Sequence, residues 1–185
     1  MKIAVYSGSF NPLHTGHLAI MKYMPEKLDF DMVYLIVSPQ NPFKDAAMAL
    51  SGRERFEAAK AAVNRHPGLK VSVKDIELEM PAPNYTIRTL DALKEREPDN
   101  RFILAIGADN LASIRKWKDY RRLLSEYGAV VYPRKGYDME NIKSSLLEEN
   151  PDYMIITTEA PVVDISSTEI RNAIASGKDI ENFLM

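Results

Sequence analysis

The chain has 185 residues, 45% of them hydrophobic, and its 24 basic and 26 acidic side chains leave a formal net charge of −2. That size and composition suit one globular domain with a real core over residues 1–185, and argue against wholesale disorder. The near balance of charge gives no global field for nucleic acid or a membrane surface, and the absence of cysteine excludes disulfides, thiolate zinc sites and cysteine nucleophiles.

The apolar part of MKIAVYSGSF is shorter than a secretory signal needs, and no stretch approaches the roughly 18 apolar residues of a membrane span. A cytoplasmic protein is the expectation. In chain order, a strand at Ile3–Tyr6 leads into a helix at His17–Leu28. A strand at Met32–Val37 precedes a helix at Arg53–Asn64, whose start Ser51 and Glu54 mark with capping-box spacing. A run at Leu69–Val73 follows, then a helix at Thr86–Arg96 with Ile87, Leu90 and Leu93 on one face. Phe102–Ile106, Ala129–Tyr132 and Tyr153–Thr157 are the later strands, and Tyr120–Tyr127, Ile142–Glu149 and Ser167–Ser176 the later helices. Several runs are almost continuously apolar, as strands covered on both faces are. The alternation predicts a single-domain α/β fold: a Rossmann-like, doubly wound, mainly parallel sheet flanked by helices. Such sheets bind ligands at the carboxyl ends of their strands, where strand order reverses.

The loop after the first strand reads GSFNPLHTGH. A strand–loop–helix junction offers phosphate free backbone N–H groups and the positive end of a helix. Gly8 and Gly16 permit close backbone approach, and Pro12 stiffens the loop. His14 and His17, three residues apart at a helix start, can face one ligand. A metal pair is the competing use of two histidines, but no carboxylate stands nearby at ligand spacing. His66, in NRHPG, reads as an ordinary surface residue. Near the other end, ISSTEIR places Ser166 and Glu169 at capping-box spacing, so a helix start, its hydroxyls and Arg171 can form a second anion site. Taken alone, that pattern also fits an ordinary capped surface helix.

The first stretch resembles the HxGH signature of the nucleotidyltransferase superfamily in Gly8, Phe10, Pro12, His14, Gly16 and His17. The second is similar to that superfamily's I-S-S-T-x-[IL]-R motif in Ile165, Ser166, Ser167, Thr168, Ile170 and Arg171. NYTIRTL (84–90) and IGADNLASIRKW (106–117) narrow the resemblance to nicotinate-mononucleotide adenylyltransferases, through Tyr85, Thr86, Thr89, Gly107, Asp109 and Trp117. The resemblance implies adenylyl transfer from ATP, with Mg²⁺, to nicotinate mononucleotide. It gives His14, His17, Lys44 (in SPQNPFK) and Arg171 catalytic roles. It implies an ATP site drawn from Gly8, Ser9, Phe10, His14, Gly16, His17, Gly107, Asp109, Val131, Arg134, Ile165, Ser166, Ser167, Thr168 and Arg171. The acceptor would meet Ser9, Phe10, Asn11, Lys44, Tyr85, Thr86, Thr89 and Trp117. From the residues alone, amides near Thr86 can bind a carboxylate and Trp117 can stack on a pyridine ring or simply fill core, while Asp109 can simply cap a helix.

Asn11 stands where many members have aspartate, Asn84 where serine is common, and the sequence ends at IENFLM where members usually continue. Alternatives are nicotinamide mononucleotide, phosphopantetheine or cytidylyl chemistry on the same scaffold, a non-catalytic nucleotide-binding module, and a metal-dependent hydrolase. His14 and the intact motifs weigh against the phosphopantetheine and binding-module readings. No nucleic-acid or membrane partner is expected, and a homo-oligomer is compatible with the sequence.

Overall fold

The computed structural model describes residues 1–39, 51–162 and 165–185. Six strands, β1 (Lys2–Gly8), β2 (Met32–Val37), β3 (Val71–Lys74), β4 (Arg101–Gly107), β5 (Ala129–Tyr132) and β6 (Ile155–Thr157), form one sheet in the order β3-β2-β1-β4-β5-β6. All pairings are parallel. Ile3 stands opposite Met32 on one side and Phe102 on the other, so β1 is central and order reverses between β1 and β4. The doubly wound, parallel α/β expectation holds, and every expected strand is present.

The continuous apolar runs explain the covered sheet. Alternate residues of each strand serve opposite faces. Ile3, Val5, Tyr34, Ile36, Leu104 and Val131 look one way, into a core built with Ile87, Leu90 and Leu93 of α4 (Thr86–Arg96) and Leu146 of α7 (Met139–Glu149). Ala4, Tyr6, Val33, Leu35, Ala105 and Val130 look the other way. There they meet Ile20, Met21 and Met24 of α1 (Thr15–Lys27) and Phe56, Ala59 and Ala62 of α2 (Gly52–Asn64).

Shorter helices complete the fold: α3 (Ile76–Glu79), α5 (Ala108–Ala112), α6 (Tyr120–Arg122) and α8 (Ser167–Ala175). The expected Tyr120–Tyr127 helix divides into α6 and a π-helical turn at Leu123–Tyr127, which ends at Gly128 with φ of 78°. The helix expected from His17 begins two residues earlier, because His14 itself caps it. Helix α4 has the expected bounds. No helix among the described residues is long and apolar enough to cross a membrane.

Leu104 lies at the middle of β4, 1% exposed, between two strand neighbours. Truncation there removes methyl groups from a site that cannot collapse. Leu104→Ala is expected to lower unfolding free energy by about 2–5 kcal/mol, measured by urea denaturation, with far-ultraviolet circular dichroism unchanged at zero urea.

Candidate active site

Strand β1 delivers the chain to the switch point at Gly8. Phe10 then takes φ of 44°, a left-handed conformation that ordinary residues rarely adopt. Its ring is buried and lies against Gly8, where an added Cβ would sit 3.0 Å from it. The same ring stands edge-on to His17, centroids 5.1 Å apart and planes at 85°. Glycine at position 8 therefore makes room for the aromatic ring that supports the catalytic-looking helix start.

The first turn of α1 is capped by imidazoles. His14 Nδ1 accepts the Gly16 backbone N–H at 3.1 Å, and His17 Nδ1 accepts the His14 backbone N–H at 3.1 Å. This is a capping box in which both side-chain roles fall to histidine. A neutral imidazole that accepts at Nδ1 carries its proton on Nε2. Both rings are thus held as Nε2–H donors, their centroids 3.7 Å apart. Burial lowers the His14 pKa to about 4, with the Arg134 charge adding to it and Glu169 opposing. Burial, His14 and Arg134 lower that of His17 to about 2. No acidic residue occupies the first turn of α1. Such a helix start offers N–H groups to an anion and has no lone pair left at Nδ1 for a metal.

The ISSTEIR stretch begins α8, with Ser166 as N-cap accepting the Glu169 N–H. Ser167 Oγ donates to the Pro12 carbonyl at 3.0 Å, and Arg171 Nη1 donates to the Asn11 carbonyl at 2.7 Å. Arg171 Nη2 also donates to Thr168 Oγ1 at 3.0 Å. The fold therefore unites the two sequence motifs, and the start of α8 is pinned to the loop that leads into α1.

Tyr6, His14, His17, Tyr132, Pro133 and Arg134 line a cleft at this junction. It continues past Arg134 to Asp109, Tyr137, Ile165 and Ser166. Asp109 faces Arg134 at 3.6 Å, and neither Asp109 Oδ1 nor Arg134 Nε has a hydrogen-bond partner among the described residues. A Cβ at Gly107 would lie 2.4 Å from Asp109 Oδ1 and 3.0 Å from Arg134 Nε, so a larger residue there would push these side chains from their present positions. Gly107 is the N-cap of α5, with Asp109 in its first turn; the cap reading of Asp109 gives way to a side chain facing the cleft.

Two expected site residues are placed differently. Val131 is inside the sheet, 0% exposed, with its carbonyl occupied by Thr158 N and Oγ1; Tyr132 to Arg134 form the wall instead. Thr89 is buried and donates to Glu77 Oε1 at 2.9 Å, which sets it beneath the site. Tyr85 precedes α4 and is exposed, Thr86 opens that helix, and Trp117 is half-buried against the core on the α4 face. Ser9 is exposed and Asn11 half-buried in the first loop. Lys44 lies outside the described residues.

Sequence reasoning missed Arg55, which is buried on α2 and donates to the carbonyls of Ser9 at 2.7 Å and Ser38 at 2.8 Å. The signal was its spacing: Arg55 falls in helical register with Ala59, Ala62 and Val63 on the face turned to the core. It also missed Glu77, buried within a four-residue helix.

The lowered pKa values carry a pH dependence. An unfolded chain protonates both histidines from about pH 6.5 downward, whereas the folded, ligand-free protein does so only near 4 and 2. The unfolded state binds more protons across that window, so stability is full above pH 6.5 and falls as the pH drops below it. Ring-nitrogen NMR at pH 6 is expected to show both as neutral Nε2–H tautomers, and urea midpoints are expected to decline between pH 6.5 and 4.

A cytidylyltransferase-like family model matches residues 5–173. The chain is 40% identical to the probable nicotinate-nucleotide adenylyltransferase of Flavobacterium johnsoniae, over 100% of its length and 92% of that protein's. It is 40% identical to the protein of the same name from Bacteroides fragilis, over 99% of this chain and 87% of the relative. Its fold matches the Plasmodium falciparum nicotinic acid mononucleotide adenylyltransferase complexed with NaAD at a TM-score of 0.79, covering 99% of this chain and 90% of that one, at 21% identity. The chain belongs to the cytidylyltransferase-like family of nucleotidyltransferases.

Proposed function

We propose that the protein transfers the adenylyl group of ATP to nicotinate mononucleotide, forming nicotinate adenine dinucleotide and pyrophosphate. The observation that carries this reading is the pair of Nε2–H imidazoles held at the start of α1. The names of full-length relatives support the substrate assignment.

In this reading a phosphate oxygen of the acceptor attacks the α-phosphorus of ATP in line, and the bond to the β-phosphate oxygen breaks. Electrons leave with pyrophosphate, so no covalent enzyme intermediate forms. The residues position the reactants and stabilise charge. His14 and His17 donate to the α-phosphate region, where negative charge builds in the transition state. Ser166, Ser167 and Thr168 at the start of α8, with Arg171, would hold the outer phosphates. Gly107, Asp109 and the wall from Tyr132 to Arg134 would border the adenosine. Lys44, outside the described residues, keeps in this reading the phosphate-contacting role that the resemblance implies.

The donor set also suits Mg²⁺ carried on triphosphate oxygens, since the imidazoles present N–H groups to the ligand; the ion would neutralise charge on the departing pyrophosphate. On the acceptor side, the Thr86 and Ile87 amides at the start of α4, which no side chain caps from Tyr85, suit the nicotinate carboxylate. Exposed Tyr85 and half-buried Trp117 would flank the pyridine ring. We also propose a cytoplasmic setting, which the absence of cysteine and the small phosphorylated substrates fit.

Pyrophosphate release with ATP and Mg²⁺ is expected to be faster with nicotinate mononucleotide than with the nicotinamide analogue; reversal would discard the carboxylate subsite at α4 and keep the chemistry. Replacing His17 with alanine removes one transition-state donor and one cap bond. His17→Ala is expected to lower kcat by about 100-fold while costing only about 1 kcal/mol of stability, read by steady-state kinetics beside urea denaturation. An unchanged kcat would remove His17 from the mechanism.

A further inference from the structure

Arg55 is 2% exposed, yet it is charged. Its Nη1 bonds two carbonyls at once: Ser9, just beyond β1, and Ser38, just beyond β2. Those loops are also joined directly. Ser38 N donates to the Gly8 carbonyl at 2.9 Å, and the Ser7 and Ser38 hydroxyls lie 3.0 Å apart. From Ser7 the polar chain continues to Glu77, 5% exposed, at 3.4 Å, and Glu77 accepts from Thr89 in the first turns of α4 at 2.9 Å. One partly buried network thus ties together Ser9 past β1, Ser38 just past β2 and the start of α4.

Burying a guanidinium and a carboxylate is costly, and apolar residues of similar volume commonly serve stability as well or better. The face of α2 that carries Arg55 is otherwise apolar, with Phe56, Ala59, Ala62 and Val63 in the core. A charge there is explained by what its hydrogen bonds hold. The cation fixes main-chain carbonyls, so it sets the distance between the chain just past β1 and the chain just past β2.

We propose that Arg55 and Glu77 are positioning residues for the acceptor half of the site, fixing the spacing of Ser9 past β1, Ser38 just past β2, and the α4 start. The inference rests on the adenylyl-transfer reading and deepens it. The ATP side has its own supports, the imidazole caps of α1 and the α8 bonds to Asn11 and Pro12. Gly8 and Ser9 are shared by both halves, but the ATP side keeps these supports when the network is lost, so acceptor binding is expected to change more than ATP binding.

The test is steady-state pyrophosphate release, varying nicotinate mononucleotide at saturating ATP and then the reverse, with thermal midpoints measured alongside. Arg55→Lys keeps the charge but not the planar fork; Arg55→Met keeps the volume; Glu77→Gln keeps an acceptor; Glu57→Ala, on the exposed side of α2 and paired among the described residues only with Lys60, is the control. Arg55→Lys is expected to raise the acceptor KM about tenfold and Arg55→Met more, with the ATP KM within about twofold and the control unchanged. Glu77→Gln is expected to give a smaller shift in the same direction. Equal changes for both substrates, or activity that simply follows the thermal midpoint, would overturn the inference. If Arg55 variants do not fold, the Glu77→Gln ratio decides alone. Wild-type protein that uses neither pyridine mononucleotide would overturn the adenylyl-transfer reading itself, whereas active wild type with unaltered KM ratios in the variants would overturn only the positioning role.

Discussion

The reciprocal bonds at the start of α1 govern the rest of the site. Each imidazole gives up its Nδ1 lone pair to a backbone N–H, and each keeps one proton, on Nε2. Three properties follow from that single arrangement. The helix gains a cap from residue types that seldom cap. The tautomer of both rings is fixed before any ligand arrives. The rings remain neutral at ordinary pH, because burial and the nearby Arg134 disfavour the cation. A neutral donor stabilises a developing negative charge without first needing a proton, so its geometry matters more than its titration.

The sheet order makes this arrangement useful. Strand β1 is central, and β4 lies beside it on the side where the order turns back. Gly8 and Gly107 end these two strands, and each glycine makes space for a specific neighbour: the Phe10 ring at one, the Asp109–Arg134 pair at the other. The parallel sheet points both strand ends at one crevice, and helix α8 closes over it by bonding the carbonyls of Asn11 and Pro12. Main-chain carbonyls as anchors have a practical consequence: the loop keeps its path whatever side chains it carries. Asn11, which replaces a common aspartate, bonds Arg171 through its backbone, so that substitution leaves the tie intact.

Much of this was legible in the sequence, and the exceptions have physical causes. The strands were readable because both of their faces are buried, which leaves continuous apolar runs. Helix α4 was readable to the residue because Ile87, Leu90 and Leu93 keep one strict face. The start of α1 was not, since histidine is a rare N-cap and the pattern rules look for serine, threonine or aspartate there. The π-helical turn at Leu123–Tyr127 leaves no mark, because its residues serve a helix equally well. Motif residues gathered as expected where their partners are backbone atoms of other motifs. Val131 and Thr89 departed because a sequence motif does not say which way a strand or helix residue faces.

The buried charges complete the picture from the opposite direction. Arg55 and Glu77 belong to no motif, and in sequence they look like the solvated charges of amphipathic helices. Register is what distinguishes them: Arg55 sits on the face that α2 turns inward, and Glu77 in a helix too short to choose a face. Their hydrogen bonds cross between loops that are close in space and distant in sequence. The half of the cleft at the starts of α1 and α8 is built from elements that stabilise themselves, caps and a docked helix. Ser9, Ser38 and the start of α4 lie on three separate elements, and the Arg55 and Glu77 bonds span them. A polar strut under those elements is what such a geometry requires, and the fold supplies it where an apolar core residue would have left their spacing unset.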